Sequence, residues 1–344
     1  MDKRNLLGLC MIVKDEKDFI KSCIESVKDI VDEIVVADTG SQDATPEIAK
    51  KLGAKVYAYP WDGSFSRARN FAISKCSARW LLLLDADERL FEEDKGKLLE
   101  FIKDGSSDGA LFKIYSYVGD GSGCTVHNAL RLLKNDGSYR FKGDIHEQIE
   151  RIDGAPATGR FALSGIRLHH FGYLEEVLKK KNKRERNIPI LLRELEKDPD
   201  NAFMLFNLGN EYIALGDYSA AWGCYKKSMA LAKSHEAFCP HLYFRAAVCL
   251  QNMSKLKEAL SVLEKGLKLY PGCTDMEYLK GLIYSDLRLD LLAIKSFEKA
   301  IAMGEPHPTL AFSEGCATVQ PLLALAEIYI RQKDYAAAEQ ACLK

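Results

Sequence analysis

The stretch Trp80-Leu81-Leu82-Leu83-Leu84-Asp85-Ala86-Asp87-Glu88 is an apolar run that stops abruptly on a carboxylate cluster. Upstream of it, strand-like and helix-like segments alternate. Residues 6–13 read as a short buried strand ending in charge, 18–30 as an amphipathic helix, and 33–37 as a second strand. Residues 45–52 read as a helix, 55–59 as a third strand, and 66–74 as the helix that leads into 80–84. That rhythm builds a parallel sheet. In open sheets of this kind ligands gather outside the carboxyl ends of the strands. The polar clusters at 14–16, 38–43 and 85–88 are therefore expected along one edge, where together they make a site. From 108 to 171 the pattern changes to strand-like segments divided by Gly-rich turns, with His127, His146, His169 and His170 among them, and this portion is expected to complete the same domain.

Beyond Tyr173 the sequence becomes helical. Residues 175–196 read as one long helix that Pro189 kinks or divides, and the basic run Lys179-Lys180-Lys181-Asn182-Lys183-Arg184 reads as a solvated face. The last third repeats. Gly209, Ala247 and Gly281 share a small-residue position spaced 38 and then 34 residues apart, and Ala221, Ala259 and Ala293 repeat the same intervals. Large partners keep step: Tyr212, Leu250 and Tyr284 follow the first small residue, and Tyr225, Leu263 and Phe297 the second. A helix pair that packs small residues at its crossing cannot bury its face alone, so the units must stack. Asn207-Leu208-Gly209 with Tyr212, Gly216-Asp217-Tyr218 and Ala221 resembles the tetratricopeptide repeat family, and Tyr270-Pro271 closes the second unit in the same manner. A partial fourth unit carries Ala326, Tyr329, Asp334-Tyr335 and Ala338 and stops at Lys344 inside its second helix, which predicts a trimmed chain or a missing capping helix. In that family the concave face binds peptides, so the resemblance implies a peptide or protein partner.

Charge and cysteine usage exclude several classes of function. The 48 Lys and Arg nearly cancel the 49 Asp and Glu, so net charge points neither to nucleic acid nor to an anionic membrane surface. No stretch approaches the roughly 18 apolar residues that span a bilayer, and the run at 6–13 is too short, and too soon followed by Lys14, Asp15 and Glu16, for a signal peptide. The 10 cysteines are scattered singly. Without a Cys-x-x-Cys pair or a Cys/His cluster at zinc spacing they read as reduced, mostly buried thiols, and a cytoplasmic location is expected.

Asp85 and Asp87, two acids at i and i+2 leaving a strand, suit a divalent cation shared with a diphosphate, because a hard cation takes oxygen ligands and neutralises a leaving group. The plainer reading is a turn with acidic caps for a helix beginning near Phe91. The order Met11-Ile12-Val13-Lys14-Asp15-Glu16, Ile34-Val35-Val36-Ala37-Asp38-Thr39-Gly40-Ser41, Arg67-Ala68-Arg69-Asn70 and Leu84-Asp85-Ala86-Asp87-Glu88 resembles family 2 glycosyltransferases of the GT-A fold, over residues 6 to about 175. Leu130-Arg131-Leu132-Leu133-Lys134, Gly143-Asp144-Ile145-His146-Glu147-Gln148 and His170-Phe171-Gly172-Tyr173 resemble the lipopolysaccharide core β-glucosyltransferases within it. Fusion to tetratricopeptide repeats also resembles the glycocin peptide S-glycosyltransferases. The expected architecture is an α/β GT-A (Rossmann-like) nucleotide-sugar transferase domain over 1–174, a linking helix or helices over 175–200, and an all-α tetratricopeptide solenoid over 201–344. The resemblance implies inverting transfer of a hexose from a nucleotide diphosphate sugar, commonly UDP-linked, with Mn2+ or Mg2+.

Carried over residue by residue, Val13, Lys14, Glu16 and Asp38 are expected to meet the base and ribose, with Thr39 standing where many relatives carry a second acid. Arg69 and Asn70 are expected on the same edge, Arg69 as a fork for phosphate, and Asp85, Ala86 and Arg131 on the donor side. Asp87 is expected to ligate the metal directly, with Asp85 beside it. His170 is expected as a second ligand because neutral imidazole suits Mn2+, and His169 is the neighbour with which it exchanges roles, since successive strand residues point to opposite faces. Inverting transfer needs a base on the acceptor side, for which Glu147 is expected, with Asp144 and His146 behind it. The competing readings are a cell-envelope glycan or lipid acceptor, or a repeat scaffold with an inactive transferase domain. Relatives of the fold that transfer nucleotides carry a Gly-rich loop after the first strand, and Lys14-Asp15-Glu16-Lys17 is not one.

Overall fold

Strand side chains alternate between two faces, and in this chain both faces of the central strands are covered. The computed structural model describes residues 6–157, 160–180, 183–307 and 310–344; the first five residues and the middle of the basic run, Lys181 and Asn182, lie outside the described residues. The chain divides into two compact units, residues 1–182 and 183–344.

In the first unit, β1 (Leu7–Val13), β2 (Glu33–Asp38), β3 (Lys55–Ala58) and β4 (Trp80–Leu83) alternate with α1 (Ile20–Glu25), α2 (Thr45–Lys51) and α3 (Phe65–Ser74). β1 sends Leu7, Leu9, Met11 and Val13 into one core with Ile20 and Ile24, while Cys10 enters the other with Cys76, Ala78 and Tyr139. β4 divides likewise, Trp80 and Leu82 on the first side and Leu81 and Leu83 on the second, which is why its sequence shows no polar alternation. β3, β2, β1 and β4 pair in parallel in that spatial order. Their carboxyl ends, with the three polar clusters, therefore lie on one edge.

The chain then passes through β5 (Glu88–Leu90), α4 (Lys95–Asp104), β6 (Gly109–Gly119), β7 (Gly123–Lys134), β8 (Tyr139–Lys142), β9 (Gln148–Arg151), β10 (Phe161–Leu174) and α5 (Glu175–Lys180). The sheet continues from β4 through antiparallel β7 and β6 to β10, parallel to β6, and ends on β5. β8 and β9 form a separate hairpin. This is a mixed, Rossmann-like sheet.

Two local expectations are corrected and a third is met. The first helix is shorter than 18–30, because the hydroxyls of Ser22 and Ser26 donate to the backbone carbonyls of Phe19 and Cys23 and such bonds compete with helix propagation. The helix expected near Phe91 is present: a 3-10 turn over Glu92–Asp94 follows Phe91 and runs directly into α4 at Lys95, while residues 88–90 just before it are drawn into β5 by pairing with β10, with Glu88 opposite His170. Residues 175–196 are not divided at Pro189, since α6 (Lys183–Lys197) runs through it.

The second unit continues with four helix pairs: α7 (Ala202–Leu215) and α8 (Tyr218–Leu231), α9 (Cys239–Asn252) and α10 (Leu256–Leu269), α11 (Thr274–Asp286) and α12 (Asp290–Met303), and α13 (Val319–Gln332) and α14 (Tyr335–Leu343). The small-residue position is an interhelical contact. A Cβ on Gly209 would lie 2.5 Å from the ring of Tyr225, and one on Gly281 2.5 Å from that of Phe297. Ala247 is admitted in the second unit, where the large partner is Leu263 in the same buried cluster.

Candidate active site

The turn from β4 to β5 builds the centre of the site. The backbone N–H of Glu88 donates to Asp85 O at 2.9 Å, and that of Asp85 to Glu88 Oε2 at 3.1 Å. This reversal leaves Asp85 partly exposed, at 40% of its side chain, and Asp87 buried. Asp87 is fastened to β10 by the Phe171 N–H, which donates to its carbonyl at 2.9 Å.

β10 presents the two histidines on opposite faces. His170 Nε2 lies 3.5 Å from Asp87 Oδ1, and its Nδ1 shares a 2.9 Å hydrogen bond with Ser116 Oγ on β6. His169 faces away. It stacks on Phe91 at 3.6 Å between centroids, shares a 2.7 Å hydrogen bond with Tyr117, and belongs to an aromatic ladder reaching Phe171, with Arg167 over Phe91 and Arg89 over Phe171. Burial, reinforced by Arg89, pushes the His169 imidazole down. β10 is itself anchored through Arg167, whose backbone N–H and guanidinium donate to the buried Asp94. Burial works to raise the Asp94 carboxyl, but Arg167 and Lys97 outweigh it and hold it at about 2.

Two partly buried arginines flank Asp85. Arg69 on α3 donates to Glu147 Oε1 at 2.9 Å and lies 3.5 Å from Asp85 Oδ1. Arg131 on β7 grips Glu88 with two hydrogen bonds of 2.7 and 2.8 Å and lies 3.5 Å from Asp85 Oδ2. Burial works against the Arg69 charge, but Glu147 and Asp85 outweigh it and hold the guanidinium above its ordinary value. Burial pushes the Glu88 carboxyl up against the opposing pull of Arg131. Arg69 thereby connects the acidic turn to the loop before β9, 78 residues away along the chain. On that loop Asp144 lies 3.7 Å from Arg67 and its carbonyl accepts from Phe65 N–H, and His146 adopts a positive φ of 50°. Burial lowers the His146 imidazole, against the pull of Glu147.

At the other end of the edge the first two loops are laced together. Asp38 accepts from the N–H groups of Gly40 and Ser41, Asp15 accepts from Gln42 N–H at 2.7 Å, and Glu16 N–H donates to Thr45 Oγ1 at 2.7 Å. Lys14 is exposed. Thr39 is buried, and its hydroxyl donates to Val13 O at 3.0 Å, so the side chain that replaces an acid here closes the ends of β1 and β2. Asn70 exchanges two hydrogen bonds with the backbone of Phe141, at 2.8 and 2.9 Å, and so ties α3 to β8. Ala86 is buried in the turn. The structure thus brings Asp85, Asp87, His170, Arg69, Arg131 and Glu147 into one linked group and gives Thr39 and Asn70 internal partners.

Residues 9–163 match the model of glycosyl transferase family 2, and residues 204–235 and 240–273 match that of the tetratricopeptide repeat. The chain carries a family 2 glycosyltransferase domain followed by tetratricopeptide repeats. It is 30% identical over 267 residues to a TPR repeat-containing protein of Synechococcus elongatus, covering 76% of this chain and 66% of that protein. To the SPbeta prophage-derived glycosyltransferase SunS of Bacillus subtilis it is 28% identical over 280 residues, 79% of this chain and 65% of that one. An uncharacterized glycosyltransferase of Rickettsia typhi is 47% identical over 83 residues, 24% of this chain and 28% of that protein. The chain spans just under two thirds of the length of the first two relatives. Among the described residues no helix is long and apolar enough to cross a membrane.

Within the family 2 domain, the residues that hold the site together include several with no signal in the sequence. Ser116 stands 54 positions from His170, and only the parallel register of β6 and β10 sets them side by side. Glu88 is legible as part of the acidic cluster, but its role as the counter-ion of Arg131 depends on β7 pairing antiparallel beside β4.

Among the described residues no group of three or more His, Cys, Asp or Glu side chains is arranged to hold a metal ion. The pair Asp87 and His170 nevertheless fits one. A Cβ built on Gly172 would fall 2.5 Å from Asp87 Oδ2 and 2.7 Å from His170 Nε2, so both donor atoms border a space that glycine keeps free of side chain. One carboxylate and one imidazole suit Mn2+, and a site with few protein ligands is the usual case where phosphate oxygens complete the shell.

Proposed function

We propose that this chain is an inverting glycosyltransferase that moves a hexose from a nucleotide diphosphate sugar, a UDP-sugar in the first instance, to a peptide or protein acceptor bound by its repeats. The observation that carries this reading is the linked group at the carboxyl edge, in which Arg69 touches both Glu147 and the Asp85–Asp87 turn. Asp87 and His170 would hold a divalent cation, which when bound neutralises charge on the leaving diphosphate. Arg69 and Arg131 add positive charge beside the same group.

Glu147 acts on the other reactant. Its carboxylate accepts the proton of the acceptor's nucleophilic group as that group bonds to the anomeric carbon and the bond to the diphosphate oxygen breaks. Asp144 and His146 support the loop that carries it. Val13, Lys14, Glu16 and Asp38 lie at the end of the edge where base and ribose would rest, and the laced loops keep that end rigid. The repeats suit a polypeptide acceptor because stacked helix pairs offer an extended surface.

The test is turnover of a panel of nucleotide sugars with Mn2+ or with chelator, for the wild type, Asp87→Ala and Glu147→Gln. One donor should be consumed in a metal-dependent manner. Asp87→Ala should lose both turnover and the metal-dependent part of UDP binding. Glu147→Gln should keep donor binding and lose about 100- to 10,000-fold in turnover, since an amide cannot accept the proton. Wild-type turnover by Glu147→Gln would transfer the base to Asp144 or His146, and wild-type turnover by Asp87→Ala would remove the metal assignment.

A further inference from the structure

We propose that Ser116 and Gly172 are positioning residues that determine the affinity of the Asp87–His170 pair for a divalent cation and its preference for Mn2+ over Mg2+. The inference rests on the reading that this pair binds a cation. Ser116 is fully buried in β6 and its hydroxyl lies 2.9 Å from His170 Nδ1. With the proton on Nδ1 donated to that hydroxyl, Nε2 keeps its lone pair on the side of Asp87. A partner on the second ring nitrogen fixes tautomer and ring angle in metal-binding histidines generally. Tyr173, edge-on to the His170 ring at 5.0 Å between centroids, restrains the ring from another side.

Gly172 acts by what it lacks. A methyl group there would meet Asp87 Oδ2 at 2.5 Å and His170 Nε2 at 2.7 Å, well inside van der Waals contact. Gly172 does not have a φ in the left-handed region, so backbone conformation does not demand glycine; the space does. The Asp87 backbone is held by the Phe171 N–H at 2.9 Å, so its carboxylate can yield only by turning about its own side-chain bonds in a buried space. Any larger residue pushes the two donor atoms off their shared centre. The imidazole is the donor that favours Mn2+ over Mg2+, so loosening it alone should change selectivity, whereas crowding both donors should weaken both ions.

The experiment measures UDP binding calorimetrically with Mn2+, with Mg2+ and with EDTA, for the full-length wild type, Ser116→Ala and Gly172→Ala, with thermal unfolding recorded for each. Ser116→Ala should reduce the Mn2+-dependent gain in UDP affinity by about 10- to 100-fold, reduce the Mg2+-dependent gain less, and so lower the Mn2+/Mg2+ ratio. Gly172→Ala should reduce both gains. A purely structural role would lower the unfolding temperature and leave the ratio unchanged. Folded variants that keep the wild-type gains and ratio would overturn the proposal while leaving the cation reading intact, and a wild type with no metal-dependent gain would remove both. Should Gly172→Ala not fold, the ratio measured on Ser116→Ala decides alone.

Discussion

Asp275, 4% exposed near the start of α11, accepts a 2.9 Å hydrogen bond from Ser313 N–H on Oδ1. Burial pushes its carboxyl up to about 6, against that hydrogen bond. Because the folded value lies above the unfolded one, the native state holds the proton more tightly. The associated stability is present below about pH 4 and lost as pH rises through 6. Asp275→Asn keeps an acceptor for Ser313 and removes the buried charge, so above pH 7 it should be more stable than the wild type by up to ~3 kcal/mol, with little difference near pH 4. Urea unfolding at pH 4.5, 6 and 8 checks this, and a stability difference that does not widen with pH would refute it. Residue identity alone could not reveal such a group. Nothing in Thr274-Asp275-Met276 distinguishes a buried acid from an N-terminal helix acid facing water. The same limit applies at the carboxyl edge of the sheet, where Thr39 and Asn70 are expected among the donor-side residues and the structure gives them internal bonds to Val13 and Phe141.

The elements were legible where their side chains repeat with a period. The three Gly/Ala positions of the repeats are the clearest case, and they also carry a prediction. Replacing Gly209 by Ala improves intrinsic helix propensity by about 1 kcal/mol. It also drives a methyl group to within 2.5 to 3.0 Å of three ring atoms of Tyr225. That ring is fully buried and its hydroxyl donates to Asn210 at 2.8 Å, so it has little room to yield. Overpacking of this kind costs about 1–3 kcal/mol and should outweigh the gain, leaving Gly209→Ala destabilised by about 1 kcal/mol in thermal unfolding. A higher melting temperature would show that the ring relaxes. Turn geometry was less legible. Gly216, Ser254, Arg288 and Lys333 all have positive φ between the two helices of their units, yet only Gly216 announces itself, because the helix pair fixes the turn and the other three residues adopt it at a cost in backbone energy.

Division into two compact units gives the whole molecule its testable property. On the proposed function, a fragment of residues 1–182, shown first to be folded, should retain metal-dependent hydrolysis of the sugar nucleotide and lose at least about 100-fold in kcat/KM for transfer to the proposed peptide acceptor. The reason is that remote binding energy is what positions a large acceptor's reacting atom. Full efficiency in that fragment would leave the repeats as a docking platform. The sequence by itself determined the parallel half of the sheet, the common edge of residues 14–16, 38–43 and 85–88, and the repeat units, because each is written in local periodicity or in motifs that share one strand end. Only the tertiary structure decided that residues 88–90 form a strand, that His170 rather than His169 lies beside Asp87, and that Arg69 joins Asp85 to Glu147. Those outcomes depend on the register between β5, β6 and β10 and on ion pairs between residues as many as 78 positions apart, and hydrogen bonding across a sheet leaves no periodic trace along the chain.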